Sequence, residues 1–302
     1  MAFPTISNGR LLQLLDLPAG KVRMVLDTDT YNEVDDQFAL AYALRSTEKL
    51  IVEAVYAAPF HNNRSSGPGD GMEKSYKEIL NVFKLLDIHS DGLVFHGSTG
   101  YLKGFQIPQD SEAARDLVKR AMECKNELLY VVAIGAITNI ASAILMEPKI
   151  IEKIVIIWLG GHALNWPDTK EFNLEQDIHA SRIIFDCGVP LIHIPCCGVT
   201  SHLLTTVPEL EYYLMGKSKI GTYLTDIVKS YTGETYGWSK VIWDIAAIAW
   251  LINPEWVPTS FVHSPILTDQ ATWSFDNKRH FIRSAVYLYR DRIFADLFKK
   301  LT

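Results

Sequence analysis

A chain of 302 residues, 48% hydrophobic and 21% charged, carries ample apolar material for one large core, which excludes a disordered or fibrous protein. The formal charge is −6 and the basic residues are scattered, which excludes an electrostatic footprint for nucleic acid or an anionic membrane surface. No run approaches the roughly 18 to 20 apolar residues of a membrane span, and Met1-Ala2-Phe3-Pro4 opens without a basic leader. A soluble, cytoplasmic protein handling a small neutral or cationic molecule is therefore expected.

In chain order, apolar runs of strand length fall at 22–26, 51–57, 128–134, 154–159 and 191–194, with amphipathic segments between them. Short continuous apolar runs suit strands covered on both faces. The pattern predicts an α/β fold, a mostly parallel central sheet flanked by helices, as one domain over residues 1–302. At the end of the chain, 272–275 and 280–283 flank Asp276-Asn277-Lys278-Arg279 and predict a hairpin, with a strand pair and a helix closing the domain. The four cysteines Cys124, Cys187, Cys196 and Cys197 lack both a disulfide framework and a CxxC zinc spacing, so reduced thiols are expected.

Ligands of such sheets sit beyond the carboxyl ends of the strands, so the informative residues are those that follow each run. After the first comes Asp27-Thr28-Asp29-Thr30-Tyr31-Asn32-Glu33-Val34-Asp35-Asp36, which crowds carboxylates ahead of the helical-looking 37–44. Capping accounts for one or two aspartates at the helix start; the rest need retained protons or a hard cation such as Ca²⁺ or Mg²⁺. The DxD after a strand is also similar to haloacid-dehalogenase-like phosphatases, with Asp27 as nucleophile and Asp29 as acid/base, but a downstream lysine and GDxxxD-like motif are lacking.

After the second run, Ala57 to Asn63 leads into Ser65-Ser66-Gly67-Pro68-Gly69-Asp70-Gly71, flexible by composition and a candidate lid. After the third, Gly135 ends a strand and Thr138 or Asn139 is placed to cap a helix. The fourth opens a polar loop, Gly160 to Asp177, in which Asn165, Glu171 and Asn173 offer the donors and acceptors that a sugar requires. Tyr231 to Trp238 alternates glycines with aromatics, a second candidate lid. Finally, Trp243-Asp244 heads the apolar 245–251, where a lone carboxylate needs a helix N-terminus or a metal.

Together these places resemble the inosine-uridine-preferring nucleoside hydrolase family, in the order of their motifs from about residue 22 to 250. The match rests on the DxD…DD run, on Gly135-Ala136-Ile137-Thr138-Asn139 as its GPLTN turn, on Asn165…Glu171-Phe172-Asn173, and on Asp244 before a helix. The resemblance implies metal-dependent hydrolysis of the N-glycosidic bond of ribonucleosides. It implies Ca²⁺ held by Asp29, Asp36, Asp244 and the backbone carbonyl of Ile134, with Asp27 supporting them and Asp29 deprotonating the attacking water. Asp35 and Asn173 would hold ribose hydroxyls, Asn165 and Glu171 the 5′-hydroxyl, and the assembly would be a homodimer or homotetramer.

Three departures mark this chain. Many members place a histidine before the last aspartate to protonate the leaving base, whereas here stands Trp243, as in purine-specific members that stack the base on it. That implies a purine-leaning activity and leaves the acid to another histidine, with His162 favoured over His179, His193 and His202. The loop between Asp29 and Asp35 is two residues longer than DxDxxxDD and brings in Glu33. The glycine-asparagine pair expected after the second strand is replaced by His61, Asn62 and Asn63. The lengthened loop keeps a second reading open: a related hydrolase or sugar-binding protein for another glycoside or a modified sugar.

Overall fold

The computed structural model describes residues 3–104, 107–124 and 127–302. Six parallel strands carry the site: β1 (Val22–Thr28), β2 (Leu50–Ala57), β3 (Val94–Phe95), β4 (Leu129–Ala133), β5 (Ile154–Leu159) and β6 (Leu191–Ile194). Two further strands, Phe281–Ala285 and Thr259–His263, complete an eight-stranded sheet. Its order is β3-β2-β1-β4-β5-β6, then 281–285, then 259–263; only the last pairing is antiparallel.

The expected α/β architecture with a mostly parallel sheet is what forms, and the alternation of buried side chains explains why. Met24 and Leu26 of β1 pack into one apolar cluster while Val25 faces the other, and Val132 and Val131 of β4 divide in the same way. A strand buried on both faces has no polar side, hence the unbroken apolar runs. In register, Asp27 lies opposite Tyr56 of β2 and Ala133 of β4, and Ala133 opposite Trp158 of β5. The carboxyl ends of the four central strands therefore come level.

The C-terminal hairpin is not formed. Trp273–Ser274 pairs with Ile266–Leu267, and Phe281–Ala285 pairs with Thr259–His263 and, in parallel, with β6. The alternating residues at 281–285 have a longer partner on the main sheet than the turn 276–279 offers, so long-range pairing overrides the local turn signal. The strand pair and the helix Arg290–Leu301 do close the chain as expected. Glycine and proline at 67–71 also mislead. Pro68 starts α3 (Pro68–Leu85, after α1 at Asn8–Leu14 and α2 at Asp35–Arg45), and a Cβ on Gly71 would lie 2.0 Å from the Phe60 carbonyl oxygen, so this stretch is a packed helix start. No helix among the described residues is long and apolar enough to cross a membrane.

Candidate active site

β1 ends at Thr28, and the Asn32 amide donates to the Asp29 carbonyl at 2.7 Å, closing a turn that leads into α2. Asp35 and Asp36 are the first residues of α2, but neither caps it. The N-cap position is Val34, in helical conformation and without a side-chain bond to the first turn. Asp244 likewise stands at the start of helix Ile245–Ile252 without a capping bond. All three carboxylates are therefore free to converge, and their oxygens come within 4.8 Å of one another. Asp29, 1% exposed, lines the same cleft with neither carboxylate oxygen partnered, and Asp35 leaves Oδ1 unpartnered.

Burial and mutual repulsion set the protonation of this floor. Burial, then the neighbouring Asp36 and Asp35, push Asp29 well above the carboxylate range; burial, then Asp35, do so for Asp36 and Asp244. Asp35 is pushed up to about 7, by burial and then by Glu33, against the opposing pull of Lys240. Asp35, Asp36 and Asp244 converge, and Asp29 adds two unpartnered oxygens in the same cleft; buried carboxylates so arranged fit a hard divalent cation, whose charge would oppose these shifts.

Support comes from the neighbouring strand ends. Thr28 Oγ1 donates to Asp36 and lies 2.9 Å from Thr30 Oγ1. Thr138 and Asn139 do not cap the helix Thr138–Met146: Ile137 holds that position, and both side chains turn inward. Asn139 Nδ2 donates to Asp27 at 2.7 Å, while its Oδ1 accepts from the amide and hydroxyl of Ser98. Asp27, pushed up to about 7 by burial against that bond, props the loop from behind. A Cβ on Gly135 would meet Asp29 Oδ1 at 3.0 Å, so the strand end leaves room for that carboxylate and little else.

The cleft encloses about 330 Å³, within the range of small-molecule sites. One wall, from the strand ends of β5 and β6, is Leu159, His162 and Lys170 to Asn173 with Cys196 and Cys197. Asn173 Nδ2 donates to the carbonyls of Ile134 and Leu159, both at 3.1 Å, which leaves Oδ1 for a ligand. Glu171 caps the helix Phe172–Gln176 and accepts from the amides of Gly161, Asn173 and Leu174, so its carboxylate mostly holds the wall in shape. His162 lines the cleft with Nδ1 accepting from the Cys197 amide at 3.3 Å, which places its proton on Nε2; burial lowers its pKa and keeps it neutral. His193 instead bonds Gly160 and Ser284 in the core, and His202 bonds Leu288.

The second wall is the lengthened loop with Asn62 and Trp243. Asn62 Nδ2 donates to Asn32 Oδ1 at 2.7 Å, Arg64 donates to the Asn32 carbonyl at 3.1 Å and lies 4.6 Å over the Tyr31 ring, and Lys240 Nζ is 2.6 Å from Glu33. Tyr231, from the glycine-aromatic stretch, sits under Lys240 and receives Arg64 at its hydroxyl.

Of the residues singled out in the sequence, Asp29, Asp35, Asp36, Ile134, His162, Glu171, Asn173, Trp243 and Asp244 all line this cleft. Asn165 does not: it is exposed, because the chain at 163–166 makes a turn outside the wall, closed by the Trp166 amide on the Ala163 carbonyl. Phe172, inside the Glu171-Phe172-Asn173 motif, lines the cleft too; Lys170 and the vicinal Cys196 and Cys197 do so without having been foreseen, and only the adjacency of Lys170 to Glu171 signalled any of them. All four cysteines are free thiols.

The profile of the inosine-uridine preferring nucleoside hydrolases matches residues 69–286, well over half of the chain and including Glu171, Asn173 and Asp244. The chain belongs to the inosine-uridine preferring nucleoside hydrolase family. It is a hydrolase acting on N-glycosyl compounds. A pyrimidine-specific ribonucleoside hydrolase RihA of Klebsiella pneumoniae (strain 342) is 27% identical over 261 residues, 77% of this chain and 80% of the relative. Among solved structures, a purine-preferring ribonucleoside hydrolase from Gardnerella vaginalis superposes with a TM-score of 0.75 at 22% identity over 92% of this chain and 98% of its own. The plant nucleoside hydrolase PpNRh1 gives 0.74 at 21% over 94% and 99%. These two share the fold.

Proposed function

We propose that this nucleoside hydrolase cleaves the N-glycosidic bond of ribonucleosides, with purines favoured, to free base and ribose, using a bound Ca²⁺. The observation that carries this reading is the convergence of buried carboxylates, with both oxygens of Asp29 unpartnered, at the strand ends of a cleft sized for a nucleoside. Asp36 and Asp244, with Asp29, Asp35 and the Ile134 carbonyl at hand, are the oxygen donors for the ion. When bound there, the ion would supply Lewis-acid chemistry, lowering the pKa of a water at the site.

Asp29 takes the proton of the attacking water as C1′ acquires oxocarbenium character. Asp35 and the free Oδ1 of Asn173 hold ribose hydroxyls, and this fixing supplies a large share of the rate. His162, neutral with its proton on Nε2, is a hydrogen-bond donor in the cleft. Trp243 supplies a stacking face for a bicyclic base, which favours purines. The exposed Val286, Tyr287 and Tyr289 support a homodimer or homotetramer, to be measured by light scattering.

The deciding experiment follows release of free base and reducing sugar from purine and pyrimidine ribonucleosides, with and without a Ca²⁺ chelator, beside a phosphate-ester control. Chelator-sensitive release with purines ahead is expected. Hydrolysis of the phosphate ester alone would sink the reading.

A further inference from the structure

On the Trp243 side of the cleft the charged lining residue is Glu33; Lys240 and Arg64 stand behind this wall and do not line it. Glu33 lines the cleft with 44% of its side chain exposed, while its partner Lys240, 14% exposed, does not line it. A ligand therefore meets a carboxylate whose Oε2 is held by Lys240 and whose Oε1 is left to it. On the same side, Asn62 bonds Asn32, the residue before Glu33, and Trp243 follows Lys240, the partner of Glu33, by three positions; neither the amide nor the indole transfers a proton. His162 and Lys170, the cleft residues with nitrogen acids, belong to the other wall, and burial holds His162 neutral. The charged side chains lining the cleft are the carboxylates Asp29, Glu33, Asp35, Asp36, Glu171 and Asp244 against Lys170, with Lys240 paired to Glu33 behind them, so with the carboxylates ionised a bound divalent ion would still leave the cleft electronegative.

We infer, resting on the nucleoside reading above, that the preferred leaving group is a base that is already a cation: an N-alkylated purinium or a pyridinium joined through its ring nitrogen to C1′. Such a base departs neutral and needs no proton from the wall it faces. The C1′–N bond breaks with its electron pair going to the ring nitrogen, which loses its positive charge. Water gives its hydroxyl to C1′, and its proton passes to Asp29 and then to solvent. The positive charge only moves from base to sugar, within reach of carboxylates throughout. A flat cation also suits the face of an indole better than a neutral ring does.

The test measures kcat/KM of the Ca²⁺-loaded full chain for guanosine, N7-methylguanosine and the pyridinium riboside of nicotinamide. Because a cationic base leaves more easily even in water, the deciding quantity is the N7-methylguanosine to guanosine ratio in variants relative to wild type. Glu33→Gln is expected to lower that ratio about tenfold, the size of one solvent-screened charge contact, with Glu33→Asp restoring part of it. Lys240→Met, which uncovers the Glu33 charge, is expected to raise it, and the pyridinium riboside should follow N7-methylguanosine in each variant. A ratio within about twofold of wild type in both Glu33→Gln and Lys240→Met overturns the inference and leaves nucleoside hydrolysis standing. No cleavage of any of the three by the wild type overturns both.

Discussion

On the floor of the cleft, Asp29, Asp35, Asp36 and Asp244 are at most 4% exposed and leave three carboxylate oxygens unpartnered; at the rim, Glu33 and Arg64 reach solvent and are paired, Glu33 with Lys240 and Arg64 with Tyr31 and Asn32. Buried charge without a partner is tolerated only where something arrives to neutralise it, so the floor is incomplete without a cation. The rim already has partners for its charges, with one oxygen of Glu33 left to the cleft. Changes on the floor should therefore abolish the reaction, and changes at the rim should redirect or weaken it.

The sharpest break between the two comes from single floor substitutions. Asp29→Asn is expected to lower kcat about 10³-fold, the range of a lost general base, while retaining part of the Ca²⁺ affinity. Asp244→Ala is expected to lose the ion altogether by titration calorimetry. Turnover close to wild type in Asp29→Asn would remove that residue from the role of base.

Next in size is the response of the metal-free protein to pH. Asp27 and Asp35 are pushed up to about 7, by burial in both cases, and Asp29, Asp36 and Asp244 shift the same way. In the unfolded chain an aspartate ionises near 3.9, so between about 4 and 7 the folded chain holds protons that the unfolded chain has released. Stability of the metal-free form therefore falls as pH rises through that window. Thermal melts should show it more stable at pH 5 than at pH 8, with added Ca²⁺ raising the pH 8 melting temperature far more than the pH 5 one. Equal gains at both values would mean that the floor is not the ion's site.

The same contrast explains what could be read from the chain. Unbroken apolar runs located the central strands because burial on both faces leaves no other composition, and carboxylates too numerous for capping pointed to the floor. What escaped depended on distance in three dimensions. Asn139 reads as a cap and instead reaches Asp27 across 112 positions. Lys240 looks unremarkable until it is found beside Glu33, 207 positions away. Asn165 has the right chemistry for a sugar, but a local turn carries it outside the wall, and nothing in its type reveals which way a loop residue faces.

Trp243→Ala tests the boundary between floor and rim, since this residue adjoins Asp244 and yet lines the wall with Glu33. Loss of stacking should lower kcat/KM for purine ribonucleosides about tenfold and for pyrimidines less, in proportion to ring area. Equal losses for both would make Trp243 a support for Asp244 instead of a platform.

The smallest expected effect belongs to Arg64. Its guanidinium over Tyr31 and its bond to the Asn32 carbonyl tie the lengthened loop to the segment after β2, and its contact with Tyr231 ties both to the stretch before Lys240. Exposed ties of this kind are each worth on the order of 0.5 to 1 kcal/mol, so Arg64→Ala should raise KM about threefold with kcat largely retained. Steady-state kinetics with a purine ribonucleoside separates the two parameters. A fall in kcat as large as that of Asp29→Asn would show that the loop fixes the aspartates themselves, and the rim would then belong to the floor as part of one catalytic unit.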